Sequence, residues 1–219
     1  MIRLHHVPFS RSFRVLWLLE ELGLDFDVVP YAIRDGSLRG AFQGLSPAGR
    51  VPALEIDGLT VFESGAIVEL LSERYPEAGL GRDVGDPQRP RFLEFLHFAE
   101  TMASVVEQLN LNHIFLRDPA QASPVVIKVN TARLAGTLAA LERLLEQGPW
   151  LLGDRFSSVD TMMGFNLFAA PYYVSLDAYP RLQAYVARLE TREGYQRARL
   201  RDGVQDFYTK DFYPVPEIG

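Results

Sequence analysis

Two serines, Ser10 and Ser12, stand just ahead of an apolar stripe in the stretch HVPFSRSFRVLWLLEELGL, residues 6–24. A serine in such a place has two uses. It caps a helix by accepting a hydrogen bond from a free backbone N–H, or it presents its hydroxyl to a group reacting at the helix's positive end. A second stretch that could carry chemistry is LSPAGRVPALEIDGLTVFESGAIVELL, residues 45–71. There Glu63 and Ser64 lie between a strand pattern and the next helix stripe. Read structurally, Ser64 is an N-cap and Glu63 solvates a turn. Read chemically, the Ser64 hydroxyl and the first helix N–H groups would bind a carboxylate while Glu63 pairs with an ammonium. An α-amino acid end needs both signs. Arg50 could meet a second carboxylate, and it reads equally as solvated surface. Pro52 opens a strand, where its lack of an N–H costs least. A cis Val51–Pro52 bond would turn the Val51 backbone toward an extended, peptide-like ligand. Cis accounts for only about 5–6% of X–Pro bonds in folded proteins, so the residues alone leave both geometries open.

The elements that must position these groups are legible from periodicity. Residues 2–7 and 26–31 are rich in branched and aromatic side chains, as strands are, and Val15, Leu18, Leu19 and Leu22 fall between them at helical spacing. Gly23 sits where a helix C-terminal glycine belongs. A strand, helix and strand in this order predict a right-handed parallel crossover. Residues 53–56 and 59–62 flank Asp57-Gly58, a strong hairpin signal, and Ala66, Ile67, Leu70 and Leu71 mark a helix that ends before Pro76. The stretch from Glu77 to Pro90 turns to glycine, proline and charge and reads as a linker. Beyond it the patterns are all helical, with an apolar face from Phe92 toward Leu116, another at Leu134, Leu138, Leu141 and Leu145, and a last one at Leu182, Tyr185, Val186 and Leu189. Ser157 stands three residues before Asp160, close to a capping box that would start a buried helix.

Composition narrows the function classes. The chain has 219 residues, 47% of them hydrophobic, and a formal net charge of -6 without any block of like charges. Nucleic acid is therefore not an expected partner. With no cysteine, a disulfide and a protein thiol nucleophile are excluded, and any sulfur chemistry must use a ligand's sulfur. His5 and His6 are neighbours on a strand and point to opposite faces, a poor metal pair; no metal is expected. There is neither a basic segment followed by a long apolar run nor an apolar stretch near 18 residues, which places the chain in the cytoplasm with no membrane partner.

Four motifs, PFSRSFRVLWLLEELGL, LSPAGRVPALEIDG, VFESGAIVELLSERYP and WLLGDRFSSVDTMMG, resemble the cytosolic glutathione transferase family in order and separation. The resemblance covers nearly the whole chain. It implies an α/β plus all-α architecture: a thioredoxin-like βαβαββα domain over residues 1–78 carrying the glutathione site, a linker at 79–90, and an all-helical domain over 91–219 contributing the second-substrate site. It further implies a cis Pro52, pairing of the Val51 backbone with glutathione, and capture of the γ-glutamyl end by Glu63 and Ser64, with Arg50 where the family often has lysine. In serine-type members the catalytic hydroxyl lies four residues before the arginine that precedes the helix's apolar run. Counting back from Arg14 gives Ser10, with Ser12 as runner-up. The expected activity is that of a serine-type, bacterial-like glutathione transferase acting in detoxification on a small, hydrophobic electrophile. Family relatives leave three alternatives: a glutathione-dependent isomerase, a dehalogenase, or a peroxidase or reductase. A non-enzymatic ligand-binding or protein-binding member is a fourth. A homodimer is the family's usual assembly.

The chemistry asked of such a serine is plain. A free thiol has a pKa of about 8.5, so at neutral pH little of it is the nucleophilic thiolate. A hydroxyl aimed at the sulfur, together with a helix N-terminus, favours the anion without the serine itself ionising. Phe9, Tyr172 and Tyr173, with the tail residues Phe207 and Tyr208, are the candidate walls for the electrophile.

Overall fold

The computed structural model describes residues 1–33 and 35–217. Its first part is a four-stranded mixed sheet in the order β2-β1-β3-β4. β1 (Ile2–His6) runs parallel to β2 (Asp27–Pro30) and antiparallel to β3 (Ala53–Ile56), which pairs with β4 (Leu59–Phe62). The parallel pair is joined through α1 (Ser12–Glu21). The β3–β4 hairpin turns at Asp57 and Gly58, whose φ values of 51° and 79° fit a turn needing positive φ at both central positions. α2 (Ser64–Arg74) closes the unit.

The helix expected between β2 and β3 is instead a short 3-10 turn, Gly40–Gly44. Gly36, Gly40, Gly44, Gly49 and Pro47 punctuate this segment, and no helical stripe spans it. The buried Phe42 anchors the turn, its ring 4.9 Å from that of Tyr31.

The second part is helical: α3 (Arg89–Asn110), α4 (Pro124–Leu144), α5 (Ser158–Ala169), α6 (Pro180–Glu190) and α7 (Glu193–Asp202). The helix expected from Phe92 to Leu116 ends at Asn110 and continues as a wider turn over Leu111–Phe115. Ser157 and Asp160 do form a capping box at the start of α5, with Ser157 N–H donating to Asp160 Oδ2 at 2.8 Å. Burial raises the Asp160 carboxyl's pKa, opposed by hydrogen bonds from Tyr185, Leu151 and Ser157.

α1 lies between the sheet and the helical part, and Arg14 through Leu19 are buried on every side. A helix enclosed all round needs no polar face. Trp17 packs so closely over Gly164 of α5 that a Cβ there would stand 2.8 Å from the indole. On the other side α1 meets α7, which buries only Gly194, Ala198 and Asp202. Small residues four apart let the two backbones approach, while Arg192, Arg197 and Arg201 pair with Glu20 and Glu21 of α1. Among the described residues no helix is long and apolar enough to cross a membrane.

Candidate functional site

A cavity of about 530 Å3 opens between the sheet unit and the helices, and Ser10, Arg50, Val51, Pro52, Glu63 and Ser64 all line it. They arrive there from three turns. The β1–α1 loop brings Ser10, with Phe9 held at φ 50°. The segment before β3 brings Arg50 and Val51 through a cis Val51–Pro52 bond. The β4–α2 turn brings Glu63 at φ 73°. Non-glycine residues at positive φ are uncommon, and here two of them stand on one cavity wall.

Ser10 and Ser12 are placed very differently. Ser10 is half-buried at the cavity, its Oγ donating to Val7 O at 2.8 Å or pairing with Ser12 Oγ at 2.7 Å. Ser12 is fully buried, 2.8 Å from His6 Nδ1, and does not line the cavity. Neither serine is the N-cap of α1. That position is Arg11, which makes no side-chain capping bond.

Ser64 is likewise not a cap: Glu63 holds the N-cap position without a capping bond, and Ser64 is the first residue of α2. The uncapped first turn leaves helix N–H groups available to an anion. The Ser64 hydroxyl is already engaged, donating to Glu100 Oε1 at 3.1 Å and accepting from Arg14 Nη1 at 2.9 Å. Arg14, wholly buried, also pairs with Glu100 and donates from Nη2 to Asn166 Oδ1 at 2.7 Å. Burial pulls the Arg14 guanidinium down to about 10, against the upward pull of Glu100. Burial also opposes ionisation of Glu100, but Arg14 and Arg11 outweigh it and hold this carboxyl below the usual range. The β4–α2 turn is thus fixed from below by a charged network that ties α1, α3 and α5 to the start of α2.

At the rim Arg50 Nη1 donates to Glu107 Oε1 at 3.1 Å, and Arg11 pairs with both Glu107 and Glu100. The opposite wall is aromatic. Phe165, Phe207 and Tyr208 line it, the Phe9 ring reaches them from the turn wall, and Tyr208 donates to Asn110 Oδ1 at 2.7 Å. Tyr172 and Tyr173 are not among the lining residues. Tyr172 stacks behind Tyr208 with ring centroids 3.9 Å apart, and Tyr173 is buried with its hydroxyl on Asn110. Asn110 and Asn166 escape a sequence reading because nothing local marks them, and Glu100 is visible on its helix with nothing local to show that it holds Arg14 and Ser64. His5 and His6 do face apart: His5 Nε2 meets Glu55 and His6 Nε2 meets Asp202. Among the described residues no group of three or more His, Cys, Asp or Glu side chains could hold a metal ion.

Residues 1–73 match the family model Glutathione S-transferase, N-terminal domain, and residues 124–188 match Glutathione S-transferase, C-terminal domain. A maleylacetoacetate isomerase of Pseudomonas aeruginosa is 36% identical over 80% of this chain and 84% of its own length. The chain belongs to the glutathione S-transferase family. Glutathione S-transferase 3 of Schizosaccharomyces pombe is 29% identical over 88% of this chain and 84% of that protein. A sphingomonad glutathione S-transferase complexed with glutathione matches with a TM-score of 0.80 at 27% identity, covering 93% of this chain and 100% of that one. Family membership makes glutathione the co-substrate and the activity glutathione-dependent.

Proposed function

We propose that the protein is a serine-type glutathione transferase that stabilises glutathione's thiolate at Ser10 for attack on a small electrophilic carbon. In this reading residues 1–78 form the glutathione-binding domain, 79–90 the linker, whose last two residues already open α3, and 91–219 the helical domain that completes the electrophile site. The γ-glutamyl carboxylate meets the uncapped first turn of α2 and Ser64, whose hydroxyl turns to it from Glu100, its ammonium meets Glu63, and the Val51 backbone pairs with the cysteinyl unit. Arg50 takes the second carboxylate, leaving Glu107 to Arg11. Phe9 and its aromatic neighbours receive the electrophile, with Tyr172 and Tyr173 backing that wall. The protein acts in the cytoplasm as a homodimer.

One observation carries the reading: Ser10 and the glutathione-contacting positions share a single cavity, whereas Ser12 is sealed beneath it. A hydroxyl there lowers the thiol's pKa by donating to the sulfur, and each unit of lowering is worth about 1.4 kcal/mol. The test is Ser10→Ala, read by thiolate absorbance of the bound glutathione and by conjugation rate. Loss of a preorganised donor of this kind slows turnover by about 10²-fold or more. An unchanged thiol pKa and rate would overturn it. Calorimetric titration of Ser64→Ala with reduced glutathione tests the γ-glutamyl subsite, where weakened binding is expected.

The isomerase reading is kept alongside because the Pseudomonas aeruginosa relative bears that name. Both reactions begin with thiolate attack on an electrophilic carbon; in isomerisation the former double bond rotates and the C–S bond breaks again to expel glutathione, whereas in transfer the C–S bond stays. A screen of conjugated unsaturated acids against aryl and alkyl halides separates them: release of free glutathione marks isomerisation, a stable thioether marks transfer.

A further inference from the structure

Behind Ser10 a chain of hydrogen bonds runs inward, away from the cavity. Ser10 Oγ is 2.7 Å from Ser12 Oγ, which is 2.8 Å from His6 Nδ1. The other ring nitrogen, Nε2, meets two oxygens of one residue, the Asp202 carbonyl at 3.0 Å and its Oδ1 at 3.2 Å. His6, Ser12 and Asp202 are 1%, 0% and 2% exposed. Only the Ser10 end reaches the cavity.

Donor and acceptor bookkeeping fixes the direction of these bonds. Both partners of Nε2 can only accept, so Nε2 carries hydrogen and, in the neutral ring, Nδ1 is an acceptor. Ser12 has one hydrogen and donates it there. Its oxygen receives the Val7 N–H at 3.2 Å, leaving a lone pair for the Ser10 hydroxyl, whose single hydrogen reaches either that oxygen at 2.7 Å or Val7 O at 2.8 Å. Every bond can then point from the cavity toward His6.

We propose that His6 takes up the proton of glutathione's thiol through the hydroxyls of Ser10 and Ser12. The proposal rests on the reading that the sulfur binds at Ser10. The S–H bond breaks as its proton passes to Ser10 Oγ, Ser10 passes its own to Ser12 Oγ, and Ser12 passes its own to Nδ1. The products are a thiolate and an imidazolium, with both serines hydroxyls as before. The chain now points the other way, which leaves the Ser10 O–H donating to the sulfur.

The surroundings suit an imidazolium. Asp202 offers its carboxylate to the Nε2–H, and it is the last residue of α7, where the negative end of the helix favours a cation. Two further groups face Asp202: Phe9 N–H donates to Oδ1 at 3.1 Å and Arg199 to Oδ2 at 2.5 Å. Arg199 opposes the imidazolium, but it is 43% exposed and therefore screened by solvent, whereas Asp202 is not. A purely structural His6 would tie β1 to the end of α7 and leave the thiol proton to escape into water.

That difference is measurable. Reduced glutathione is titrated into the wild-type protein near pH 7, well below the free thiol's pKa of about 8.5, in buffers of different ionisation enthalpy, with thiolate absorbance recorded alongside. The expected result is thiolate formation with almost no proton delivered to the buffer. In Ser12→Ala, which cuts the chain by removing one oxygen, less thiolate forms and each thiolate releases about one proton. His6→Gln, checked by circular dichroism for an intact fold, is expected to behave the same way. One proton released per thiolate by the wild type overturns the proposal and leaves the Ser10 reading standing. Bound glutathione without thiolate absorbance overturns both. A Ser12→Ala protein that forms thiolate without releasing protons also overturns the relay.

Discussion

The two walls of the cavity are built on opposite plans. The wall from the sheet unit is made of turns: Phe9 and Glu63 sit at positive φ, Val51–Pro52 is cis, and polar groups are aimed by backbone geometry. The wall from the helices is made of rings, Phe165, Phe207 and Tyr208, whose packing sets shape more than direction. A peptide ligand of fixed structure needs directional partners, while a range of apolar electrophiles needs only a surface to bury against. The contrast is incomplete, because the turn wall is held in place by Glu100, a residue of the helical unit.

The strongest way to break the comparison is to remove that anchor. Glu100→Gln leaves the fully buried Arg14 guanidinium without its counter-charge. We expect a loss of about 3 kcal/mol, at the low end for a broken buried pair because the Glu100 side chain is 30% exposed. At this chain length the melting temperature falls by roughly 2–4 °C per kcal/mol, which a thermal melt reads directly. The pH dependence has a definite sign. The Glu100 carboxyl titrates below its ordinary value in the folded state, so its contribution is present above that ordinary value and is lost as pH falls through the lower, folded one. The variant should therefore lose less stability than the wild type on acidification through that window. An equal loss in both proteins would mean that the pair contributes nothing there.

A smaller effect tests how the two walls are held together. Gly164→Ala sets a methyl 2.8 Å from the Trp17 ring and 2.9 Å from Leu189. α1 and α5 must then separate, at a cost of about 1–3 kcal/mol. Because α1 carries Ser10 at its entrance, glutathione turnover should fall along with the melting temperature. Lowered stability with unchanged turnover would show that the turn wall keeps its geometry independently of the helices.

Next in size is Tyr208→Phe. The hydroxyl donates to Asn110 Oδ1, which also receives Tyr173, and burial pushes the Tyr208 phenol's pKa up, keeping it a neutral donor. Its loss costs about 1 kcal/mol of stability, since Asn110 retains one partner. The aromatic wall keeps its ring, so the KM for glutathione should stay unchanged while that for the electrophile shifts a few-fold. A change in glutathione KM instead would mean that the division between the walls is wrong.

The same division governs what a sequence reading can reach. The strands at 53–56 and 59–62 agree to the residue with β3 and β4, because Asp57-Gly58 marks the hairpin turn between them. The capping box of Ser157 and Asp160 is equally local. By contrast α7 leaves no apolar stripe, since Gly194, Ala198 and Asp202 are what it buries. A helix that packs through small residues and arginine pairs carries no hydrophobic period to find. Asp202, which completes the His6 contacts, is hidden for the same reason, 196 residues from its partner. The helix drawn from Phe92 to Leu116 overshoots because the wider turn at 111–115 keeps an apolar composition. Of the two readings open to Ser64 the cap falls, and position alone does not reveal that Arg14 and Glu100 hold its hydroxyl.

The finest test concerns the rim, where the two walls touch through charge. Arg50 is 69% exposed and Glu107 42% exposed, so their pair contributes at most about 0.2–1 kcal/mol to stability, and Arg50→Ala should barely move the melting temperature. Its effect on glutathione depends on which partner the guanidinium keeps. If Arg50 leaves Glu107 for a ligand carboxylate, Arg50→Ala weakens glutathione binding several-fold, and the loss shrinks at high salt as exposed charge pairs are screened. Glu107→Gln should then tighten binding, because Arg50 no longer has to be released from the helical wall before it meets the ligand. Opposite signs for the two variants in the same calorimetric titration assign Arg50 to the ligand. Unchanged binding in both assigns it to the rim pair alone, and the turn wall would then hold glutathione without it.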